Sequence, residues 1–233
     1  MARTVVLGHR GSPDPATGVG ENTLGAFARA SRLGADGVEL DVRMTADGAL
    51  AVHHDPVVDG VGAVSGLTAT ELPASVPLLP AVLEACDGLF LNVEIKNLPG
   101  EPGFDPDERL AGEVAALLSV TGQLAGVVVS SFWPPTLEAV HDARPELPTG
   151  LLVAGWFDPA EAIGAAFRLG CTALHPFVGL ITPGLVTEAH RAGLSVAAWT
   201  VNARPDLEAV LAAGVDTVIT DDVALALVVR DGT

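Results

Sequence analysis

The chain is poor in positive charge, and nearly all the positive charge it has comes from arginine. Its 233 residues include 12 Lys and Arg against 29 Asp and Glu, which gives a formal net charge of −17. Lys96 is the only lysine. Because a strongly acidic surface repels polyanions, nucleic acid and anionic membranes are not expected partners. A small anion can still bind where a metal ion or a few cations reverse the field within one pocket.

Cysteine is scarce as well, with only Cys86 and Cys171 in the chain. Two cysteines do not make a disulfide scaffold, so we expect buried thiols in a reducing compartment. The longest uncharged stretch, residues 114–137, contains a predicted turn at 121–123 and two consecutive prolines, which argues against a membrane-spanning helix. The first residues lack the pattern of a signal peptide. A cytoplasmic protein without stable membrane association is therefore expected.

The composition is that of a globular protein, with 49% apolar and 18% charged residues. A chain of this length can bury roughly 70–75% of its unfolded surface in one core. No linker-like segment divides it, so we expect a single domain over residues 1–233.

Short β-rich runs alternate with helix-like segments along the chain. Many of the runs are continuously apolar, which is typical of parallel strands buried on both faces. The predicted strands cover residues 4–7, 37–42, 50–53, 89–95, 126–130, 150–153, 172–174, 196–201 and 216–220, and the predicted helices cover 23–33, 79–85, 107–118, 136–143, 160–169, 184–192 and 206–213.

One connection reduces the nine runs to eight repeating units. Residues 43–49 are too few for a crossover helix, and Asp47-Gly48 is a strong hairpin signal. Residues 50–54 then fold back antiparallel onto 37–42. The prediction is an α/β fold, a (β/α)₈ TIM barrel with an extra antiparallel hairpin strand after strand 2. A doubly wound open sheet is the alternative.

Chemically active side chains follow the predicted strands. In a barrel, functional residues lie at the carboxyl ends of the strands. Residues two apart on a strand share a face, so each of two strands presents a polar pair there. The candidates are His9 and Arg10 after strand 1, Glu39 and Asp41 on strand 2, Glu94 and Lys96 on strand 3, and Trp199 on strand 7.

The hairpin places a histidine beside the first carboxylate pair. If Asp47 and Gly48 alone form the turn, Asp41 lies opposite His54, with Cβ atoms about 4.5–5.5 Å apart. His53 then points to the other face. A three-residue turn would reverse this choice, so the prediction depends on the turn.

Converging carboxylates repel one another unless a cation lies between them. Ligands that are all oxygen favour Mg²⁺ or Ca²⁺ over zinc. Two histidines beside such a site suit acid–base catalysis, while arginine and lysine suit phosphate oxygens. Each feature also has a structural interpretation: a solvated strand edge, a structural histidine, an ion pair between Glu94 and Lys96, or a core tryptophan at 199. His175 can equally line the pocket, lie in the core or cap an element.

At these residues the sequence resembles the glycerophosphodiester phosphodiesterase family. The matching stretches follow the family's order and cover nearly the whole chain. They are Gly8-His9-Arg10-Gly11, Glu21-Asn22-Thr23, Gly34-Ala35-Asp36 through Glu39-Leu40-Asp41-Val42, Thr45-Ala46-Asp47-Gly48, His54-Asp55-Pro56, Val93-Glu94-Ile95-Lys96, Ser131-Phe132, Trp199-Thr200-Val201-Asn202, Gly214-Val215-Asp216 and Thr220-Asp221.

The resemblance implies a hydrolase of glycerol and lipid metabolism. It would use one divalent cation, Mg²⁺ or Ca²⁺, to cleave a small glycerophosphodiester into glycerol 3-phosphate and an alcohol. The implied roles are metal ligands for Glu39, Asp41 and Glu94, an acid–base pair for His9 and His54, phosphate binding for Arg10 and Lys96, glycerol packing for Trp199, and ordering of Arg10 or a metal-bound water for Glu21.

Three other functions stay open at this point. A related barrel phospholipase, of the lysophospholipase D or sphingomyelinase D kind, would share the metal site and histidines. A phosphate-sugar isomerase or aldolase barrel is disfavoured by the acidic residues at 221 and 222, where a Gly-rich phosphate loop is usual. The third is a non-catalytic glycerophosphodiester binder. The segment after Pro56 departs from the family and lacks a large insertion, so the alcohol stays undetermined. The sequence does not indicate the oligomeric state.

Overall fold

A computed structural model describes residues 3–120, 126–155 and 158–232. The turn predicted at residues 121–123 lies outside this range. The strands are β1 (Val5–Gly8), β2 (Gly37–Met44), β3 (Leu50–Val52), β4 (Val57–Val58), β5 (Gly62–Ala63), β6 (Phe90–Ile95), β7 (Val127–Ser131), β8 (Thr149–Val153), β9 (Ala173–Pro176), β10 (Ser195–Ala198) and β11 (Thr217–Thr220). The helices are α1 (Leu24–Leu33), α2 (Leu79–Ala85), α3 (Arg109–Val120), α4 (Pro134–Ala143), α5 (Pro159–Arg168), α6 (Pro183–Arg191), α7 (Arg204–Ala213) and α8 (Val223–Asp231).

Eight parallel strands close into a barrel. Around its circumference the order is β1, β11, β10, β9, β8, β7, β6 and β2, and β2 pairs with β1 to close the ring. The strand β3 lies outside the ring, antiparallel to β2. The predicted fold, a (β/α)₈ barrel with one added hairpin strand, is confirmed.

The hairpin turn differs from the prediction. Val42 pairs with Val52 and Met44 with Leu50, so the loop holds three residues, Ala46 to Gly48. The amide of Thr45 donates to the carbonyl of Ala49 at 2.9 Å, and Gly48 has φ of 83°. This is the three-residue hairpin in which a left-handed glycine follows a type I turn. The predicted register, with Asp41 opposite His54, is therefore wrong by one residue.

The core lies between the barrel wall and the surrounding helices. In α1, Thr23 accepts a hydrogen bond from the amide of Ala26 and begins the helix, and Gly34 ends it with φ of 86°. The helix buries Phe27 and Ala30 against the sheet. Thr23 and Gly34 are the capping residues expected of an amphipathic surface helix. The position of α1 in turn fixes the loop after β1.

The last helix was not predicted. Its sequence, Val223 to Val229, is apolar without a polar face, so it lacks the helical period. The helix begins where the side chain of Asp222 accepts from the amide of Leu225 at 3.0 Å, and it ends at Gly232. Among the described residues, no helix has the length and apolar character needed to cross a membrane.

Candidate active site

Three buried carboxylates meet at the carboxyl end of the barrel. Glu39 and Asp41 share the inner face of β2, and the register of β2 with β6 sets Asp41 beside Glu94. One oxygen from each of the three lies within 4.8 Å of the others. All three residues are at least 91% buried, Asp41 with only 1% of its surface exposed. The predicted strand-end carboxylates therefore form one acidic triad.

The electrostatics of the triad fit a bound cation. Burial, together with the charge of Asp41, raises the pKa of Glu39 to about 8. Burial also raises the pKa of Glu94. Oxygen Oε1 of Glu39 is buried and has no hydrogen-bond partner within the described part of the chain. A divalent ion between these all-oxygen ligands would replace the mutual repulsion by attraction. The triad can therefore hold a metal ion.

Lys96 lies beside two of the three carboxylates. Its Nζ is 2.7 Å from Oε1 of Glu94 and 3.5 Å from Oδ1 of Asp41. Burial favours the neutral form of Asp41, but Lys96 and then His54 outweigh it and hold the pKa of Asp41 below its ordinary value. The single lysine is thus a buried, charged member of the site.

Arg10 adopts an unusual backbone conformation that points its amide into the site. Its φ is 53°, and its N–H donates to Oε2 of Glu39 at 2.8 Å. In its guanidinium, Nη1 donates to Oε1 of Glu21 at 2.8 Å, and Nε lies 3.4 Å from Oδ2 of Asp41. At the next residue, Gly11, a Cβ would lie 2.7 Å from the backbone of Ala26. The loop after β1 therefore has this shape only with glycine there.

His9 lies between two acidic groups. Its Nδ1 is 2.7 Å from Oδ1 of Asp221, and its Nε2 is 4.0 Å from Oε2 of Glu39. Burial opposes protonation of the ring, but the hydrogen bond to Asp221 and the charge of Glu39 raise the pKa of His9. The Asp221 contact orients Nε2 of the imidazole towards the triad.

The contacts of Asp221 were missed by the sequence analysis. The Nδ2 of Asn202 donates to Oδ2 of Asp221 at 2.6 Å, and the Oδ1 of Asn202 accepts from the Asp221 amide at 2.9 Å. The hydroxyl of Thr220 donates to the same Oδ1 at 3.2 Å. Asn202 and Asp221 both occur in the motifs quoted for the family resemblance, and that resemblance was the signal available in the sequence for their contact. Asn202 and Thr220 together hold the Asp221 carboxylate against His9.

His54 reaches the site although the register differs from the prediction. The last ladder hydrogen bond runs from the amide of His53 to the carbonyl of Asp41 at 3.0 Å. The chain then leaves β2, and Arg43 Nε donates to the carbonyl of His54 at 2.8 Å. The ring Nδ1 of His54 lies 2.7 Å from Oδ1 of Asp55. Burial lowers the pKa of His54, against the opposing charge of Asp41. The His53 ring bonds instead to the backbone carbonyl of Asp55, so its side chain contacts the main chain two residues further on.

Asn22 is a second residue whose role the sequence does not indicate. Its Nδ2 donates to Oδ2 of Asp41 at 2.8 Å, and its Oδ1 accepts from the Asp41 amide at 3.3 Å. Its own amide donates to the carbonyl of Arg10 at 3.0 Å. Asn22 is 2% exposed and has φ of 53°, a conformation that asparagine tolerates. It joins the loop after β1 to the triad.

Trp199 lies in an aromatic cluster beyond the end of β10. The rings of Phe132 and Phe177 meet it edge-on, with centroids 5.5 and 5.6 Å away. Its Nε1 donates to the carbonyl of His175 at 2.7 Å, while the His175 side chain is 2% exposed and lies inside the barrel. Trp199 thus presents a partly exposed apolar surface at the mouth, and His175 is a barrel-interior residue.

Together these groups define the class of protein as a TIM-barrel enzyme with its candidate active site at the barrel mouth. The acidic triad, two histidines and two cations all converge at the carboxyl end of the strands, where TIM-barrel enzymes place their active sites. Glu21 lies at the edge, half exposed and paired with Arg10.

Comparisons with known proteins agree with this class. The model of the glycerophosphoryl diester phosphodiesterase family matches residues 9–225. A glycerophosphodiester phosphodiesterase from Caldanaerobacter subterraneus is 37% identical over 94% of this chain and 95% of its own. A probable glycerophosphodiester phosphodiesterase 2 from Mycobacterium tuberculosis is 31% identical over 86% and 81% of the two chains. The chain therefore belongs to the glycerophosphoryl diester phosphodiesterase family, as the resemblance implied, and is an enzyme.

Solved structures show the same architecture. A putative glycerophosphoryl diester phosphodiesterase from Silicibacter pomeroyi is similar with a TM-score of 0.88 and 26% identity, covering 100% of this chain and 95% of its own. An Oleispira antarctica phosphodiesterase, solved in complex with the product sn-glycerol-3-phosphate, has a TM-score of 0.82 and 23% identity, covering 98% and 97%. At 23% identity, the similarity to the Oleispira protein is evidence for the fold alone.

Proposed function

We propose that this enzyme hydrolyses glycerophosphodiesters to glycerol 3-phosphate and an alcohol, using one divalent cation, Mg²⁺ or Ca²⁺. The observation that carries the proposal is the position of His9 and His54 beside a buried carboxylate triad, the buried Lys96 and the partly buried Arg10. The 37% identity to a glycerophosphodiester phosphodiesterase supports the substrate class.

Glu39, Asp41 and Glu94 would hold the cation. Its contribution, when bound, is to polarise a phosphoryl oxygen and offset the negative charge that develops there. The neutral form of Glu39, favoured by burial, gives up its proton when the cation binds. Glu94 accepts a hydrogen bond from Lys96 through Oε1, and its carboxylate would be the third ligand of the cation.

Arg10 and Lys96 bind the phosphate in this proposal. The Arg10 guanidinium carries N–H donors beyond those used for Glu21, and a planar fork suits phosphate oxygens. Lys96 supplies a point charge at the triad. With the cation they reverse the negative field of the acidic surface within this one pocket. Trp199 packs on the apolar side of the glycerol.

His9 and His54 carry the proton transfers. One deprotonates the nucleophile, which is water or the neighbouring glycerol hydroxyl, and the other protonates the leaving alkoxide. Asp221 holds the proton of His9 on Nδ1, so that Nε2 faces the triad. Asp55 does the same for His54 at its own Nδ1.

A substrate panel tests the proposal. Glycerophosphocholine, glycerophosphoethanolamine and glycerophosphoglycerol are each assayed with Mg²⁺, with Ca²⁺ and with EDTA, and glycerol 3-phosphate release is scored. We expect release with at least one cation and none with EDTA. Equal rates with and without chelator would contradict the metal assignment. Activity on lysophosphatidylcholine with none on the water-soluble panel would instead identify a lipid phosphodiesterase.

A further inference from the structure

The barrel contains a cavity at the end opposite the candidate active site. Its volume is about 200 Å³. Its walls include Phe90, Val127, Ser195 and Thr217, the first residues of β6, β7, β10 and β11. The acidic triad, His9 and His54 lie at the opposite, carboxyl ends of the strands. The cavity is therefore separate from the proposed phosphodiester site.

This cavity is lined mainly by apolar atoms, and none of the described residues that line it is charged. Bulky branched side chains normally fill a barrel interior. Here Ala173 and Ala197 contribute only methyl groups, so space is left between Leu7 and Val128. An engineered apolar cavity of about 150 Å³ binds benzene, so this one is large enough for a six-membered ring with one polar substituent.

A buried imidazole lines the cavity. His175 lines it, is 2% exposed, and has no hydrogen-bond partner for Nδ1 in the described part of the chain. Burial lowers the pKa of His175 to about 4, so the ring is neutral at physiological pH. A neutral imidazole offers one acceptor nitrogen and one donor. The absence of a lining cation disfavours an anionic ligand.

The surroundings of the cavity favour the imidazole as an acceptor for a ligand. A Cβ at Gly150 would lie 2.5 Å from Nε2 of His175, so the ring takes this position only because residue 150 is glycine. The hydroxyls of Thr172 and Ser195 already donate to the carbonyls of Thr149 and Thr172, at 3.2 and 3.3 Å.

We propose that this cavity is a binding site for a small, neutral hydrogen-bond donor with an apolar body, such as an alcohol or a phenol. The ligand's hydroxyl donates to the His175 imidazole, and its hydrocarbon part contacts Leu7, Ala173 and Ala197. The site is independent of the phosphodiesterase reaction, so it stands or fails separately from the proposed function.

Two matched probes test the inference on the intact protein. Phenol and fluorobenzene have nearly the same shape, but only phenol donates a hydrogen bond. We expect both to shift the backbone amide resonances of Ala173, Ala197 and Thr217 saturably, with phenol binding about five- to tenfold more tightly. Equal affinities, or no saturable shift at these amides, would overturn the proposal.

Two variants locate the site and identify the acceptor. In His175→Leu the preference for phenol over fluorobenzene should disappear. Ala173→Leu should fill the cavity and abolish binding of both probes, whereas Ala212→Leu, on an exposed position of α7, should leave binding unchanged. Retained phenol binding in Ala173→Leu would place the site elsewhere. If either variant fails to fold, the comparison of the two probes on the unmodified chain decides the question.

Discussion

His9 Nδ1 lies 2.7 Å from Oδ1 of Asp221, a residue 212 positions away, while Nε2 of the same ring faces Glu39 at 4.0 Å. The carboxylate is itself held by Asn202 at 2.6 Å. This arrangement selects the tautomer of His9 in which Nε2 is free to exchange a proton with a bound reactant.

Asp221→Asn keeps the shape of the side chain and removes its charge. We expect kcat to fall by about 10²-fold or more, because His9 loses the partner that fixes its tautomer and stabilises its cationic form. KM should change little, since the phosphate contacts remain. Steady-state kinetics of the variant beside Asp206→Asn, an exposed position at the start of α7, measure the effect. An unchanged kcat in Asp221→Asn would show that the contact does not contribute to turnover.

Alanine at either proposed catalytic histidine should nearly abolish turnover. A loss of about 10²–10⁴-fold is expected for His9→Ala and for His54→Ala, since each removes one proton-transfer group. His53→Ala provides the matched control, because the His53 ring contacts the backbone carbonyl of Asp55. Isothermal titration with the cation should show that binding survives in all three variants. Loss of activity in His53→Ala alone would reverse the assignment of the two histidines.

Binding of the cation should release protons. The raised pKa of Glu39, about 8, means that most of this carboxyl is protonated at pH 7 in the metal-free protein. Because the cation binds the carboxylate, its affinity should rise as the pH increases from 6 towards 8 and level off above. Calorimetry in two buffers of different ionisation enthalpy counts the protons. Glu39→Gln should weaken cation binding and reduce the proton release, and an unchanged proton count would contradict the prediction.

Asn22→Ala should lower stability. It removes a donor from the buried Oδ2 of Asp41 and an acceptor from the Asp41 amide. The loss should be about 1–3 kcal/mol, the usual cost of leaving buried polar groups unpaired. Urea unfolding of the metal-free protein measures it. A midpoint equal to that of the parent chain would show that the loop after β1 does not depend on this residue.

Gly48→Ala tests the three-residue hairpin. Apart from the two neighbouring residues in the chain, no atom of the described residues lies within 4 Å of the added methyl group, so any cost comes from the left-handed backbone at φ of 83°. We expect a loss of about 1 kcal/mol. Gly66→Ala, which also meets open space but has no such φ, should be nearly neutral. If both variants have equal stability, the loop has relaxed to another conformation.

The barrel could be predicted because its signals are local. Apolar runs, helix-ending glycines such as Gly34, and the Asp47-Gly48 turn each depend on a few neighbouring residues. The strand-end positions of Glu39, Asp41 and Glu94 follow from the two-residue period of a strand. The hairpin register could not be settled in this way, because Asp-Gly fits both a two-residue turn and a three-residue loop with glycine last.

Other parts of the site depend on distant pairings. The contact between Asp221 and His9 exists only because β11 closes on β1. The bonds from Asn22 to Asp41 require the loop after β1 to fold over the end of β2. Helix α8 lacks a polar face, so its sequence carries no helical period. Residue propensity and spacing do not encode these features, which form only in the completed barrel.

The seam between β1 and β11 sets an order of events during synthesis. During synthesis His9 emerges before β11, yet its amide bonds to the carbonyl of Thr220 and its ring to Asp221, which is 212 positions further along the chain. A nascent chain that already contains the acidic triad therefore has no oriented His9. His9 is oriented only when β11 has been released and the ring of strands closes.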